Sequence, residues 1–192
     1  MTTTLIFVRH GETEWNNKKV IQGCTDIPLS EKGRQQAFEL SKRIPENVDV
    51  IYTSPLKRAL ETANIISEGK EVVISQDLIE PNFGSWEGKE FNSIGDMSAK
   101  EFVECTNGIP LGDAGNTVHT LSQTILGFLN SLVQTYENKT VMLVSHGTWI
   151  KCALVGILEF PDRMYHQLGV CNASVTTVVY RKGYYCMTHL SC

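Results

Sequence analysis

Short runs of consecutive apolar residues alternate along this chain with stretches of helical spacing. That alternation limits the fold more than any other feature. Leu5-Ile6-Phe7-Val8 is apolar at every position, as expected of a strand covered on both faces. Val48–Tyr52 and Val141–Val144 read as strands of the same kind, and Glu71–Ile74 as a further short one. A helix is expected from Ser30, which can cap it, through Ala37, Phe38, Leu40 and Ile44, with Pro45 ending it. A second carries Leu56, Ala59, Leu60, Ala63 and Ile66, with Pro55 at its first position. Val118, Leu121, Ile125, Leu129, Leu132 and Tyr136 define the longest amphipathic helix, and Trp149–Leu158 reads as a buried one. Val175–Tyr180 and Tyr184–His189 are joined by Arg181-Lys182-Gly183 and read as a hairpin. Strands that alternate with helices and close on a hairpin imply an α/β fold. The expectation is a three-layer α/β/α sandwich with a mostly parallel sheet and one antiparallel edge strand.

Residues 80–115 break the rhythm. They hold six glycines and two prolines, and read as a long irregular excursion with short helices near Lys89–Ile94 and Ala99–Cys105. Excursions of this length often serve function. No internal repeat or linker interrupts the chain, so residues 1–192 read as one domain.

Composition narrows the partners. Lys and Arg number 17 against 21 Asp and Glu, a formal net charge of −4. A nucleic-acid binder usually shows the opposite balance, so no nucleic-acid partner is expected. No apolar run approaches the roughly 20 residues of a membrane helix. The first ten residues carry only a short apolar run that ends in Arg9-His10, which does not read as an export signal. A cytoplasmic protein with free thiols at its six cysteines is the corresponding expectation. None of those cysteines forms a C-x-x-C pair.

In open α/β sheets, ligands sit outside the carboxyl ends of the strands. After the first strand stand Arg9, His10 and Gly11; after the second, Ser54, Pro55 and then Arg58; after the fourth, Ser145, His146 and Gly147. Asp77, Glu80 and Glu87 lie in the excursion. Two guanidinium forks and two imidazoles at one crevice suit a phosphoryl group, whose charge is spread over three oxygens. A histidine in line with the leaving oxygen can take the phosphoryl covalently, and a nearby carboxylic acid can protonate the leaving group. Competing constellations fail. The stretch from Gly84 to Lys89 is one residue short of a P-loop, with Glu90 where Ser or Thr is needed. No G-x-S-x-G elbow accompanies Ser145.

Five blocks, in order, resemble the histidine phosphatase superfamily, also called the phosphoglycerate mutase-like family. They are Leu5-Ile6-Phe7-Val8-Arg9-His10-Gly11-Glu12-Thr13, the stretch from Gln22 to Gly33, Ser54-Pro55-Leu56-Lys57-Arg58-Ala59, the stretch from Leu78 to Gly88, and Val144-Ser145-His146-Gly147. The resemblance implies that His10 is the phosphorylated nucleophile and that Arg9 and Arg58 bind phosphate. It implies that His146 is a second pocket histidine bonded to the phosphate, and that Glu80 is the general acid and later base. Asn16 and Gln22 are implied to line the pocket, with Gly147 beside them as a phosphate-binding position. Glu87 and Asp77 compete with Glu80 for the acid's part, and Glu87 beside Trp86 also reads as a structural acid. No metal and no cofactor is implied. One stretch departs from the family pattern: many relatives carry Gly-Glu-Ser where this chain has Gly115-Asn116-Thr117.

The function implied is hydrolysis of a small phosphorylated metabolite. The mutases of the family tend to be longer, which favours the phosphatase branch. Within it the candidates include sugar and glycerate phosphatases and the α-ribazole phosphatase of cobalamin assembly. The alternatives are a cofactor-dependent phosphoglycerate mutase and a non-catalytic phospho-ligand binding module. His119, His166 and His189 read as ordinary surface or interface residues, and no oligomeric state is legible.

Overall fold

The computed structural model describes residues 2–93 and 111–191. Six strands form one sheet: β1 Thr2–Arg9, β2 Val50–Thr53, β3 Val72–Ile74, β4 Thr140–Ser145, β5 Val175–Arg181 and β6 Tyr184–Leu190. Their order is β3-β2-β4-β1-β5-β6. The pairs β2–β3, β2–β4 and β1–β4 are parallel. β5 runs antiparallel to both β1 and β6. The strand that opposes the rest therefore lies one place in from the edge, and β6 covers it.

The apolar runs do what uninterrupted apolarity requires. Leu5 and Phe7 of β1, with Val141 and Leu143 of β4, enter one core cluster. Ile6 and Val8, with Met142 and Val144, enter another on the opposite face. Side chains alternate across a strand, so both faces need cover. Helix α1 (Glu14–Asn17) is a single turn after β1; helices α2 (Glu31–Ser41) and α3 (Lys57–Ile66) cover the second face, and α4 (Val118–Thr135) and α5 (Gly147–Ile157) cover the first. This is the three-layer sandwich. Each large aliphatic or aromatic side chain so buried contributes about 1.5–3 kcal/mol. Among the described residues no helix is long and apolar enough to cross a membrane.

Several local expectations need correction. Phe38 fits the helical spacing of α2 but is 53% exposed; the stripe that faces the sheet is Gly33, Ala37 and Leu40. α2 stops at Ser41, before Pro45 acts. Pro55 is not the first residue of α3. Leu56 is the N-cap, with no capping side chain of its own, and Asp26 substitutes by accepting the Lys57 backbone N–H at 2.7 Å. A distant loop thus starts the helix that carries Arg58. The short helix near Lys89–Ile94 is a single 3₁₀ turn, Phe91–Ser93, and the one near Ala99–Cys105 lies outside the described residues. Thr117 does cap α4, in a reciprocal pair with Thr120. Cys24, Cys152 and Cys186 are free thiols, but Cys171 is disulfide-bonded. The expectation of free thiols rested on the compartment and carried no information about which sulfurs the fold brings together.

Candidate active site

The parallel register delivers the site. Arg9 pairs with Ser145 at the carboxyl ends of β1 and β4, so His10 and His146 leave the sheet side by side, ring centroids 5.1 Å apart. The turn after β1 is packed tightly against α2. A Cβ on Gly33 would lie 2.0 Å from the Glu12 carbonyl oxygen, and one on Gly11 would lie 2.4 Å from the Gly33 oxygen. Glycine at both positions is what lets the loop behind His10 seat on α2.

A cavity of about 380 Å³ opens at this edge, within the usual range for small-ligand sites. Arg9, His10, Asn16, Gln22, Arg58, Glu80 and Gly147 all line it. His146 does not; it is fully buried behind them.

His10 is nearly buried. Its Nδ1 lies 2.6 Å from the Gly11 carbonyl oxygen, which can only accept. Nδ1 therefore carries the proton, and Nε2 keeps its lone pair. Burial, reinforced by the charges of Arg58 and Arg9, holds this ring well below the ordinary imidazole value of 6.5, with the bond to Gly11 opposing. A neutral imidazole with a bare Nε2 is the nucleophilic form.

His146 sits behind His10 and is bonded within the protein. Arg58 donates from Nε to its Nδ1 at 3.2 Å. Its Nε2 lies 2.7 Å from the Ser54 hydroxyl. Nδ1 must accept, so Nε2 holds the proton and donates to Ser54. Both ring nitrogens are thus bonded to protein. Burial, then Arg58, His10 and Arg9, keeps this ring neutral as well.

Arg58 is gripped on three sides. Besides His146, it donates from Nη1 to the Thr25 carbonyl at 2.8 Å and from Nη2 to the Gly23 carbonyl at 2.6 Å. Five N–H groups less three leave one on each terminal nitrogen for the cavity. The loop that supplies those carbonyls is fixed by Glu87, which accepts from the backbone N–H of Cys24, Thr25 and Phe83 and from the Thr25 hydroxyl. Burial works against the Glu87 carboxylate, but these donors prevail and hold it below its ordinary value. Glu87 is thus a structural acid and not a lining one.

Arg9 donates from Nη1 to the Val170 carbonyl at 2.6 Å. Its Nε is buried without a partner among the described residues, a donor left for whatever enters the cavity. Burial lowers the Arg9 pKa and the Glu80 charge raises it. Glu80 sits over the start of α5, where its two oxygens accept from the Thr148 and Trp149 backbone N–H, each at 3.1 Å. Each oxygen keeps a second lone pair. The Asn16 oxygen accepts from Thr13 and from Asn172 Nδ2. The Gln22 oxygen accepts from the Thr13 hydroxyl. With their oxygens committed, both amides offer N–H donors to the cavity.

The pattern of the histidine phosphatase superfamily, branch 1, matches residues 5–191. The chain belongs to that family. It is 42% identical to phosphoserine phosphatase from Entamoeba histolytica, solved as a mutant in complex with phosphoserine. That match covers 98% of this chain and 96% of the other, with a TM-score of 0.92. The same protein has also been solved with 3-phosphoglyceric acid. Phosphoserine phosphatase 1 of Hydrogenobacter thermophilus is 36% identical over 91% of this chain and 85% of its own length. Probable phosphoglycerate mutase GpmB of Cronobacter sakazakii is 32% identical over 91% of this chain and 84% of its own length.

The cavity also recruits residues to which the sequence reading gave no role in it. Lys151, Tyr165, Thr148, His166 and Phe91 line it, as does Trp86 from within the fourth block. His166 is therefore no ordinary surface residue. The 3₁₀ segment Asp162–His166 packs on α5 and carries it there. Lys151 did have a signal: it lies four residues after Gly147 on α5, hence on the same helix face.

Proposed function

We propose that this chain is a phosphomonoesterase that hydrolyses a small phosphorylated metabolite through a phosphohistidine on His10. The observation that carries the reading is the His10 tautomer: Nδ1–H bonded to Gly11, with a bare Nε2 in a cavity that also holds Arg9, Arg58 and the Glu80 carboxyl group. Arg9 and Arg58 grip the phosphoryl oxygens, aided by Asn16, Gln22 and the start of α5 at Gly147. His10 Nε2 bonds to phosphorus as the P–O bond to the leaving group breaks. Glu80 takes a proton from the ester's phosphate monoanion as it binds and gives it to the leaving oxygen. Water then attacks the phosphohistidine, gives its proton to Glu80, and releases inorganic phosphate with His10 restored. His146 acts through Arg58, whose position it helps to fix.

Phosphoserine is the substrate we favour, on the strength of the two phosphoserine phosphatases among the relatives. We read residues 1–192 as one domain and place the enzyme in the cytoplasm. The free thiols of Cys24, Cys152 and Cys186 accord with that location; the disulfide at Cys171 speaks against it.

The test is phosphate release from phosphoserine and from p-nitrophenyl phosphate by wild type and His10→Ala. Turnover by wild type and none by the variant is expected; equal rates would overturn the nucleophile assignment, and no turnover by either would favour a binding module. The GpmB relative supports one second reading, phosphoryl transfer within phosphoglycerate. With 3-phosphoglycerate, the account expects inorganic phosphate. Substantial 2-phosphoglycerate would favour the mutase.

A further inference from the structure

Among the described residues three cations, Arg9, Arg58 and Lys151, line the cavity with a single carboxyl group, Glu80. Arg9 and Arg58 flank His10 and are occupied by the phosphoryl group in the reading above. Lys151 has no such task. Among the described residues it forms no ion pair, whereas Lys32, Lys42, Lys57 and Lys139 each pair with a surface carboxylate. Its Nζ lies 4.9 Å from the centre of the Tyr165 ring. That ring is buried, and its hydroxyl is within 3.1 Å of the Thr148 hydroxyl. The His166 ring stands edge to face with Tyr165, centroids 5.0 Å apart. The aromatic wall supports the ammonium by cation–π contact but leaves its N–H donors without a carboxylate. Burial and the Arg9 charge lower the Lys151 pKa, and the Glu80 charge opposes them.

With Glu80 holding the proton it gives to the leaving group, a phosphate dianion offsets two of the three cations, and an ester of a neutral alcohol leaves the third without a partner. We propose that Lys151 is a specificity-determining residue that binds a carboxylate on the leaving-group side of the substrate, so that the enzyme selects small phosphorylated hydroxy or amino acids over carboxylate-free esters. The inference rests on the phosphatase reading above and deepens it.

O-phosphoserine and O-phosphoethanolamine differ only by the α-carboxylate, so the ratio of their kcat/KM values isolates the contact. A partial loss of folded protein cancels in that ratio. Charge-assisted hydrogen bonds of this kind set the expected size. Wild type should prefer phosphoserine by roughly 10- to 100-fold, and Lys151→Met should collapse the ratio towards one, mainly through KM for phosphoserine. A wild-type ratio near one, or a variant ratio that stays at the wild-type value, overturns the proposal while leaving the phosphatase reading intact. Failure of wild type to release phosphate from either ester would overturn both.

Discussion

The Nε–H of Arg58 donates to Nδ1 of His146 across 3.2 Å, and this contact sets the protonation of the inner site. A proton on Nδ1 would face that N–H head-on, so His146 is held neutral with its proton directed at Ser54. His10, in front of it, is fixed in the opposite tautomer by Gly11. The two imidazoles present different nitrogens because their neighbours differ.

Both rings should therefore stay neutral where an ordinary histidine titrates. Long-range proton–nitrogen NMR correlation at pH 6.5, the ordinary value, should show a bare Nε2 in His10 and a bare Nδ1 in His146. A doubly protonated ring in either residue at that pH would contradict the geometry. Stability follows the same sign. Below pH 6.5 the unfolded chain binds protons that the folded rings refuse, so stability present above that pH is lost as the pH falls towards the depressed folded values. The urea midpoint should be lower at pH 5.5 than at pH 7.5; an equal or higher midpoint would count against the buried neutral pair.

Glu87 acts at a distance from the cavity. Its carboxylate ties the Cys24–Thr25 backbone to Phe83, and the same loop presents the carbonyls that Arg58 uses. Glu87→Ala should cost about 2 kcal/mol in urea unfolding, the scale of hydrogen bonds to a charged group. It should also lower kcat/KM by loosening Arg58. Wild-type stability together with wild-type kcat/KM would show that the loop holds itself.

Gly33→Ala tests the seat behind His10. The added Cβ would lie 2.0 Å from backbone that cannot swing aside, so overpacking should cost about 3 kcal/mol. A thermal melt within 1 °C of wild type would contradict the close approach.

Much of this is legible in the amino-acid sequence alone. Apolar runs such as Leu5–Val8 announced strands covered on both faces, and strand ends are where ligands gather in such sheets. Arg9, His10, Arg58 and Gly147 stand at or just after such ends, Glu80, Asn16 and Gln22 were implied by the family resemblance, and all seven line one cavity. What stayed hidden depended on partners far along the chain. Asp26 starts α3 from 31 residues away, which no local rule about Pro55 could reveal. His146 bonds to Ser54 across 92 residues, so its partners could not be read from its neighbours. Phe38 has the right spacing but the wrong side of the helix. His166 lacks any local motif and enters the cavity wall only because its 3₁₀ segment packs on α5.

The central claim is that His10 carries the phosphoryl group. Brief mixing with excess phosphoserine, rapid quenching in base to preserve phosphohistidine, and peptide mass spectrometry would test it most directly. The account predicts one phosphoryl group per chain, on the peptide that contains His10, and none in His10→Ala. A phosphoryl group on His146, or its persistence in His10→Ala, would contradict it.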